Sequence, residues 1–364
     1  MKVAIIGGHL SPALAVLEKL TDEEVFFIGR KYTFEGDKTL SFEYQQISKL
    51  KIPFFAITPS RFQRKFTRYT ISSISKFPIG LAQSLRVLRK IKPDIVLGFG
   101  GYVSMPVVIS AFILKIPIVI HEQTLEAGFA NKLASKFAKK ICISWKSSSK
   151  FFPKEKTVLT GNPLRKDILD ISKSKRIENK TPTIYITGGN SGSHFINVLI
   201  ENSLSKLLKN YSIIHQTGDS KYKDYKRLKE KKEKLSNDLS NNYEVVKFFL
   251  PKVAAEAINN ADLVIGRAGI NTVTELIYLK KPALLIPLIS SQKNEQLKNS
   301  MFLKSLGLGE FIEQNGLNEN IFYSTVENMI KNIESYRLKE DVFIKDAADK
   351  IVMVLKNVSK QKKT

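Results

Sequence analysis

Residues 2–20, KVAIIGGHLSPALAVLEKL, decide the fold. Val3–Ile6 is a short apolar run rich in β-branched residues, the pattern of a strand covered on both faces. Gly7-Gly8-His9 follows, and Pro12–Leu20 then places its apolar residues at helical spacing. Ser11-Pro12 reads as N-cap and first position of that helix. A helix entered through glycines offers unpaired N–H groups and a positive dipole end to a phosphate, and lets it come close.

The same phrase returns twice. GFGGYVSMP (98–106) follows the apolar run Ile95–Leu97 and opens the helical stretch Pro106–Leu114. GGNSGS (188–193) follows Thr183–Thr187 and opens Ser193–Leu208. Three such turns over two halves of one chain predict more than one phosphate-bearing ligand.

Outward from these turns the alternation continues. Val25–Ile28, Ile116–Ile120, Lys140–Ser144 and Thr157–Thr160 read as strands, with helices at Ile79–Ile91 and Phe129–Ala138. The polar, lysine-rich stretch Leu169–Pro182 reads as a linker. The series then restarts, with strands at Ser212–Gln216, Glu244–Phe248, Leu263–Gly266 and Ala283–Pro287. Its helices are Tyr222–Asn237, Val253–Asn260, Ile270–Leu279 and Asn294–Leu306. Repeated βαβ units predict an α/β fold of two Rossmann-like domains, their parallel sheets facing across a cleft. The expected domains are residues 1–162, with a C-terminal helix at about 340–358 packing back on them, and residues 163–339.

A length of 364 residues suits two cores. The single cysteine, Cys142, excludes an internal disulfide and fits a reducing compartment. Pro106–Pro117 is too short to span a bilayer, and MKVAIIGG reads as a first strand rather than a signal peptide. The net charge of +24 is unevenly spread: residues 51–100 hold ten Lys and Arg against Asp94 alone. Within 61–81, Arg61, Arg64, Lys65 and Arg68 alternate with Phe62, Phe66, Tyr69 and Ile71. That mixture suits an anionic membrane surface, with a solvated basic face as the alternative. Nucleic acid is disfavoured as a partner, because no helix-turn-helix, zinc or RNA-binding signature accompanies the charge.

GFGGYVSMP, IPIVIHEQTLEAGFANK (116–132), TGNPLRKDI (160–168), IHQTGD (214–219), RAGINTVTEL (267–276) and the pair Gln296/Asn299 follow one another in a known order and spacing. Over about residues 1–310 the chain resembles the peptidoglycan N-acetylglucosaminyltransferase (MurG) family. The resemblance implies a glycosyltransferase B-type fold, with an acceptor- and membrane-binding domain first and a UDP-GlcNAc-binding domain second. It implies a peripheral enzyme on the cytoplasmic face of the cell membrane. The implied reaction moves GlcNAc, with inversion, from UDP-GlcNAc to the 4-hydroxyl of MurNAc in lipid I, a polyprenyl-diphosphate-linked MurNAc-peptide. No cofactor and no required metal are implied.

Residue by residue, the resemblance places Glu275 on the ribose diol, although a carboxylate early in a helix also compensates the dipole. Gly269 and Ile270 would turn N–H groups to the donor diphosphate, with Asn190 and Ser191 beside it. The Leu250 backbone would read the uracil edge. Arg165 would bind the donor as a bidentate ligand, a surface ion pair being the alternative. Gln296 and Asn299, three apart on one helical face, would hold the GlcNAc hydroxyls. On the acceptor side His9 is the candidate base. His121, Glu122 and Gln123 form the family's HEQ motif. Glu122 either assists the acceptor directly or only pairs with a neighbouring base. Gly7, Gly8, Gly100, Gly101 and Tyr102 would cradle the acceptor diphosphate, and Thr124 and Asn131 complete that side.

The chain departs from the family pattern in four places. One glycine pair precedes His9 where relatives carry two, and Thr124 replaces an asparagine. Asn190-Ser191 stands where relatives have Ser-Gln, and Lys293-Asn294-Glu295 precedes Gln296. The donor half is nearly intact and the acceptor half is edited. A related UDP-sugar transferase with another lipid acceptor, and a catalytically impaired UDP-sugar-binding homologue, are therefore alternatives. A UDP-GlcNAc 2-epimerase of the same architecture is a further one.

Overall fold

The computed structural model describes residues 1–32, 39–58, 68–101, 103–176, 179–189, 191–289, 291 and 294–361, and the side chains of 68–76 lie outside that description. The chain divides into two compact units, Met1–Arg165 with Ile344–Thr364, and Lys166–Phe343.

The first unit carries β1 (Lys2–Ile6), β2 (Glu24–Gly29), β3 (Phe54–Ala56), β4 (Ile95–Gly98), β5 (Ile118–Glu122), β6 (Lys140–Ile143) and β7 (Thr157–Leu159). They pair in the order β3-β2-β1-β4-β5-β6-β7. All pairs are parallel, with Val3 opposite Val25 on one side and Ile95 on the other. Its first helices are α1 (Leu10–Leu17), α2 (Phe42–Lys49), α3 (Arg68–Ile91), α4 (Ser104–Ile113) and α5 (Phe129–Ala134). The strands are apolar throughout because both faces are covered. Ala4, Ile6, Val96 and Ile118 pack with Val107, Val108 and Ala111 of α4. Val3, Ile5, Phe27, Ile95 and Leu97 pack on the other face with Ala13 and Val16 of α1.

The second unit holds β8 (Thr183–Thr187), β9 (Ser212–Gln216), β10 (Tyr243–Val246), β11 (Leu263–Gly266), β12 (Ala283–Leu285) and β13 (Gly309–Phe311). Their order is β10-β9-β8-β11-β12-β13, again parallel throughout. Its helices are α6 (Lys166–Ile171), α7 (His194–Leu207), α8 (Asp224–Glu233), α9 (Asn237–Asn241), α10 (Pro251–Asn260), α11 (Ile270–Tyr278), α12 (Glu295–Ser305) and α13 (Glu319–Lys331). The last helix, α14 (Ala347–Lys360), belongs to the first unit. Ile351, Leu355 and Val358, at helical spacing, join the core beneath β1 and β4.

Several elements differ from the sequence reading. Helix α1 starts at Leu10 with His9 as an extended N-cap residue, so Ser11-Pro12 sits inside the first turn. Proline is tolerated there because those N–H groups have no helical partner. Helix α3 begins at Arg68 rather than Ile79 and carries Pro78 inside it. Proline removes one helical hydrogen bond, and α3 accommodates Pro78 in its interior. The stretch read as a linker, Leu169–Pro182, starts inside α6, and the helix read over 222–237 ends at Glu233 before the separate α9.

Candidate active site

In each sheet the strand order reverses beside the first strand, and ligands of open α/β sheets bind outside the carboxyl ends of strands at that point. In the first unit β1 and β4 meet there. They end in Gly7-Gly8-His9 and in Gly98–Gly101. The two turns touch: a Cβ on Gly8 would stand 2.2 Å from the Gly100 carbonyl oxygen. Gly100 and Gly101 have φ of 79° and 82°, a conformation that favours glycine.

The amides of the first turn are already used. Gly7 N donates to Ile28 O at 2.8 Å. Gly8 N donates to Glu43 Oε1 at 3.0 Å, and Arg30 N donates to Glu43 Oε2 at 3.4 Å. The turn expected to cradle a diphosphate through Gly7 and Gly8 is therefore closed by a carboxylate from α2. Burial pushes the Glu43 pKa up, against the pull of the Arg30 and Gly8 amides. Tyr102 lies outside the described residues.

His9 is exposed to solvent, yet enough protein surrounds its ring for desolvation to lower its pKa. The Glu122 carboxylate acts in the opposite direction. The net result favours the neutral imidazole near pH 7, the form a base requires.

The HEQ motif closes β5. Glu122 is 2% exposed and accepts four hydrogen bonds. Oε1 takes Thr124 N at 3.0 Å and Thr124 Oγ1 at 2.6 Å. Oε2 takes Gly128 N at 2.8 Å and Asn131 Nδ2 at 3.1 Å. Both oxygens are engaged within the loop that Glu122 organises. His121 places Nε2 3.2 Å from Gly161 O and 3.1 Å from Ser144 Oγ. A carbonyl only accepts, so Nε2 carries the hydrogen and Nδ1 is the buried acceptor. Burial lowers the His121 pKa to about 4. His121 Nδ1, Gln123 Oε1 and Asn131 Oδ1 are buried acceptors with no hydrogen-bond partner among the described residues. Native interiors leave few such atoms, and three of them cluster around this one loop.

In the second unit the switch point lies between β8 and β11. A cavity of about 500 Å³ opens there. It is lined by Thr187, Gly188, Gly189, Gly192, Ser193, His194, Phe195, Arg267, Gly269, Thr272, Leu288 and Gln296. A Cβ on Gly192 would meet the Thr217 carbonyl oxygen at 2.2 Å. Arg267 spans the cavity wall, donating to Ser193 Oγ at 3.0 Å, Ile286 O at 2.9 Å and Gln314 Oε1 at 3.1 Å. Ser193 and Arg267 were not singled out from the sequence, although both sit inside quoted strings.

Of the expected donor residues, Gly269 and Gln296 line this cavity, and Ile270 is buried as the first residue of α11. Gln296 Oε1 accepts from Leu288 N at 2.9 Å. Asn299 is wholly buried, not on an open helical face. Its Nδ2 donates to Ala268 O at 2.9 Å, tying α12 to the turn after β11. It steadies the Arg267–Gly269 turn and does not line the cavity. Glu275 is buried within α11, and Ser191 is exposed. The Leu250 side chain is 74% exposed at the N-cap of α10, after Phe249, whose N donates to Gln216 Oε1 at 3.2 Å. Arg165 is half-buried at the end of the first unit, and Asn190 lies outside the described residues.

His215 of the IHQTGD string is fully buried, with Nδ1 3.1 Å from Tyr243 Oη and Nε2 3.0 Å from Asn197 Oδ1. Burial lowers its pKa to about 3. The unfolded chain then binds a proton that the folded one refuses, so stability present above pH 6.5 falls as pH drops towards 3. Between pH 6.5 and 4.5 the second unit should lose about 2–3 kcal/mol on this account, measurable by urea unfolding. A His215→Phe chain, whatever its absolute stability, should show a flatter dependence. An equal slope in both chains would contradict the assignment.

Comparison with known proteins follows the same division. Residues 6–143 match the glycosyltransferase family 28 N-terminal domain, and residues 183–352 match its C-terminal domain. The chain is 31% identical to the UDP-N-acetylglucosamine–N-acetylmuramyl-(pentapeptide) pyrophosphoryl-undecaprenol N-acetylglucosamine transferase of Lachnospira eligens, over 99% of each chain. It is 34% identical to the protein of that name from Clostridium botulinum, over 90% of this chain and 87% of the other. Among solved structures, Acinetobacter baumannii MurG superposes with a TM-score of 0.73 at 24% identity, covering 98% of this chain and all of that one. The UDP-GlcNAc 2-epimerase of Neisseria meningitidis shares the fold, with a TM-score of 0.64 at 17% identity over 98% of this chain. The chain is a member of glycosyltransferase family 28, in the family of UDP-N-acetylglucosamine–N-acetylmuramyl-(pentapeptide) pyrophosphoryl-undecaprenol N-acetylglucosamine transferases.

Proposed function

We propose that this glycosyltransferase moves GlcNAc from UDP-GlcNAc to the 4-hydroxyl of MurNAc in lipid I, forming lipid II. One observation carries the reading: a chain of this family keeps glycine turns at both switch points, one for each diphosphate. The donor diphosphate lies against Gly188–Gly192 and the N-terminus of α7, and Glu275 takes the ribose. The acceptor diphosphate lies at Gly100-Gly101 and the start of α4. His9 removes the proton of the attacking hydroxyl. That oxygen bonds to C1 of GlcNAc while the bond from C1 to the UDP oxygen breaks, its electron pair leaving with UDP. Attack opposite the leaving group inverts the anomeric centre.

The test is transfer of labelled GlcNAc to a short-chain lipid I analogue. Product supports the reading. Conversion of UDP-GlcNAc to its 2-epimer without acceptor would overturn it. Because the Gly7 and Gly8 amides are committed to Ile28 and Glu43, a second reading is transfer to another lipid acceptor. Turnover on a different lipid in place of lipid I would favour it.

The same proposal puts the protein on the cytoplasmic face of the membrane. No described helix is long and apolar enough to cross a bilayer. Of the basic and aromatic stretch 61–81, residues 61–67 and the side chains of 68–76 lie outside the described residues. Its described end carries Ile79, 51% exposed, and α3 packs on α4, whose end exposes Phe112 and Ile113. Changing Phe112 and Ile113 together to Ser should weaken binding to anionic vesicles by roughly ten- to a hundredfold, given the apolar area withdrawn from water. Unchanged vesicle sedimentation would exclude this edge as the docking surface.

A further inference from the structure

His194 directly follows the third glycine cluster. It is the first residue of α7 and lines the donor cavity. Its Nδ1 lies 2.8 Å from Asp224 Oδ1, and its ring stacks on Tyr222 with centroids 3.9 Å apart. The Asp224 side chain is fully buried. It also accepts from Ser220 Oγ at 2.5 Å, Asn197 Nδ2 at 2.9 Å and Arg227 Nη2 at 2.9 Å. Burial works against its charge, and the bonds from Ser220, Asn197 and His194 outweigh that effect and hold its pKa low.

A carboxylate only accepts, so Nδ1 of His194 carries a hydrogen and the tautomer is fixed. The other nitrogen, Nε2, presents a lone pair when the ring is neutral and an N–H when it is protonated. A lone pair repels a phosphate oxygen, whereas a charged N–H donor attracts it. Among the described residues, the groups facing this ring are few. They are Asp224 and Arg227 of α8, Tyr222 with Lys221 over its ring, and Arg267 on the cavity wall. Arg227 is bound to Asp224 and Glu201, and arginine stays charged throughout the neutral range. Of these groups, the His194 ring offers the nitrogen that can act either as donor or as acceptor towards a ligand.

We propose that His194, clamped by Asp224, is a ligand for the diphosphate of a nucleotide sugar, and that binding takes up a proton on Nε2. The inference rests on the donor reading above. It makes donor affinity depend on pH through a residue of the binding loop, independently of the base that acts on the acceptor.

The test is calorimetry of UDP-GlcNAc binding to the full chain between pH 5.5 and 8.5, in buffers of different ionisation heat. The two phosphates of UDP-GlcNAc keep a constant charge over that range, so proton uptake reports on the protein. The wild type should take up a fraction of a proton near pH 7. It should bind about tenfold more weakly at pH 8.5 than at 5.5, because an affinity linked to proton uptake falls as the proton becomes scarce. His194→Gln keeps a polar group but cannot titrate. It should abolish the uptake, flatten the profile and leave affinity at pH 8.5 within about threefold of wild type. His194→Phe retains the ring on Tyr222 and should behave the same way. Undiminished uptake in both variants, or none in the wild type, would overturn the inference while leaving the donor reading intact. Absence of UDP-GlcNAc binding at every pH would overturn both.

Discussion

Replacing His9 with alanine is expected to lower kcat for GlcNAc transfer by roughly 10²- to 10⁴-fold, the usual contribution of a positioned general base. KM for UDP-GlcNAc should hardly move, because the donor cavity is built entirely from the second unit. The pH profile is the sharper readout. Desolvation lowers the His9 pKa, with Glu122 opposing, so the proton is lost below the usual histidine value. The wild-type kcat/KM should therefore rise with pH through the slightly acidic range and level off by neutrality. That acidic limb should vanish in His9→Ala. A variant retaining more than about a tenth of the activity would remove His9 from the mechanism.

Glu122→Gln should be far from conservative. The carboxylate stands among four donors: Thr124 N, Thr124 Oγ1, Gly128 N and Asn131 Nδ2. A carboxamide replaces one acceptor with an NH₂ group, which must then face two donors. Turned towards Thr124, it meets an N–H that cannot rotate away. Turned towards Asn131, it asks that side chain to flip and give up its 2.9 Å bond to His121 O. Either arrangement leaves buried polar groups unpaired, at a cost of about 2–4 kcal/mol. For a unit of this size that lowers the melting temperature by about 10 °C. The alternative, in which Glu122 is itself the base, makes a different forecast: a normally stable Glu122→Gln chain with little turnover. Thermal melting beside a rate measurement separates the two.

Much of the fold was legible because its signals are local. Val3–Ile6, Thr183–Thr187 and Leu263–Gly266 are strands in the structure, as their unbroken apolar or β-branched character implies. Glycine turns at their ends identify the switch points without any knowledge of strand order. The edge strands Phe54–Ala56 and Gly309–Phe311 were not legible, since three residues on a partly covered edge carry no period. What the chain does with its polar groups was legible only in part. Motif strings locate His9, Glu122 and Gly100. The groups that occupy the Gly8 amide and clamp His194 lie 35 and 30 residues away, as Glu43 and Asp224. Only the folded chain discloses such partners. Asn299 makes the same point in reverse, because helical spacing suggested an open face and tertiary packing buried it.

The return of α14 to the first unit has a consequence for biosynthesis. Its residues Ile351, Val352, Leu355 and Val358 complete the apolar layer that Val3, Ile5 and Val16 begin. That layer joins residues as far apart as Val3 and Val358, and the second unit is an insertion between its two parts. On the ribosome the second unit can finish folding first, although it starts later. The first must wait, with one sheet face uncovered, until the residues of α14 have been made. A stop codon just before Ile344 would leave that face bare for good.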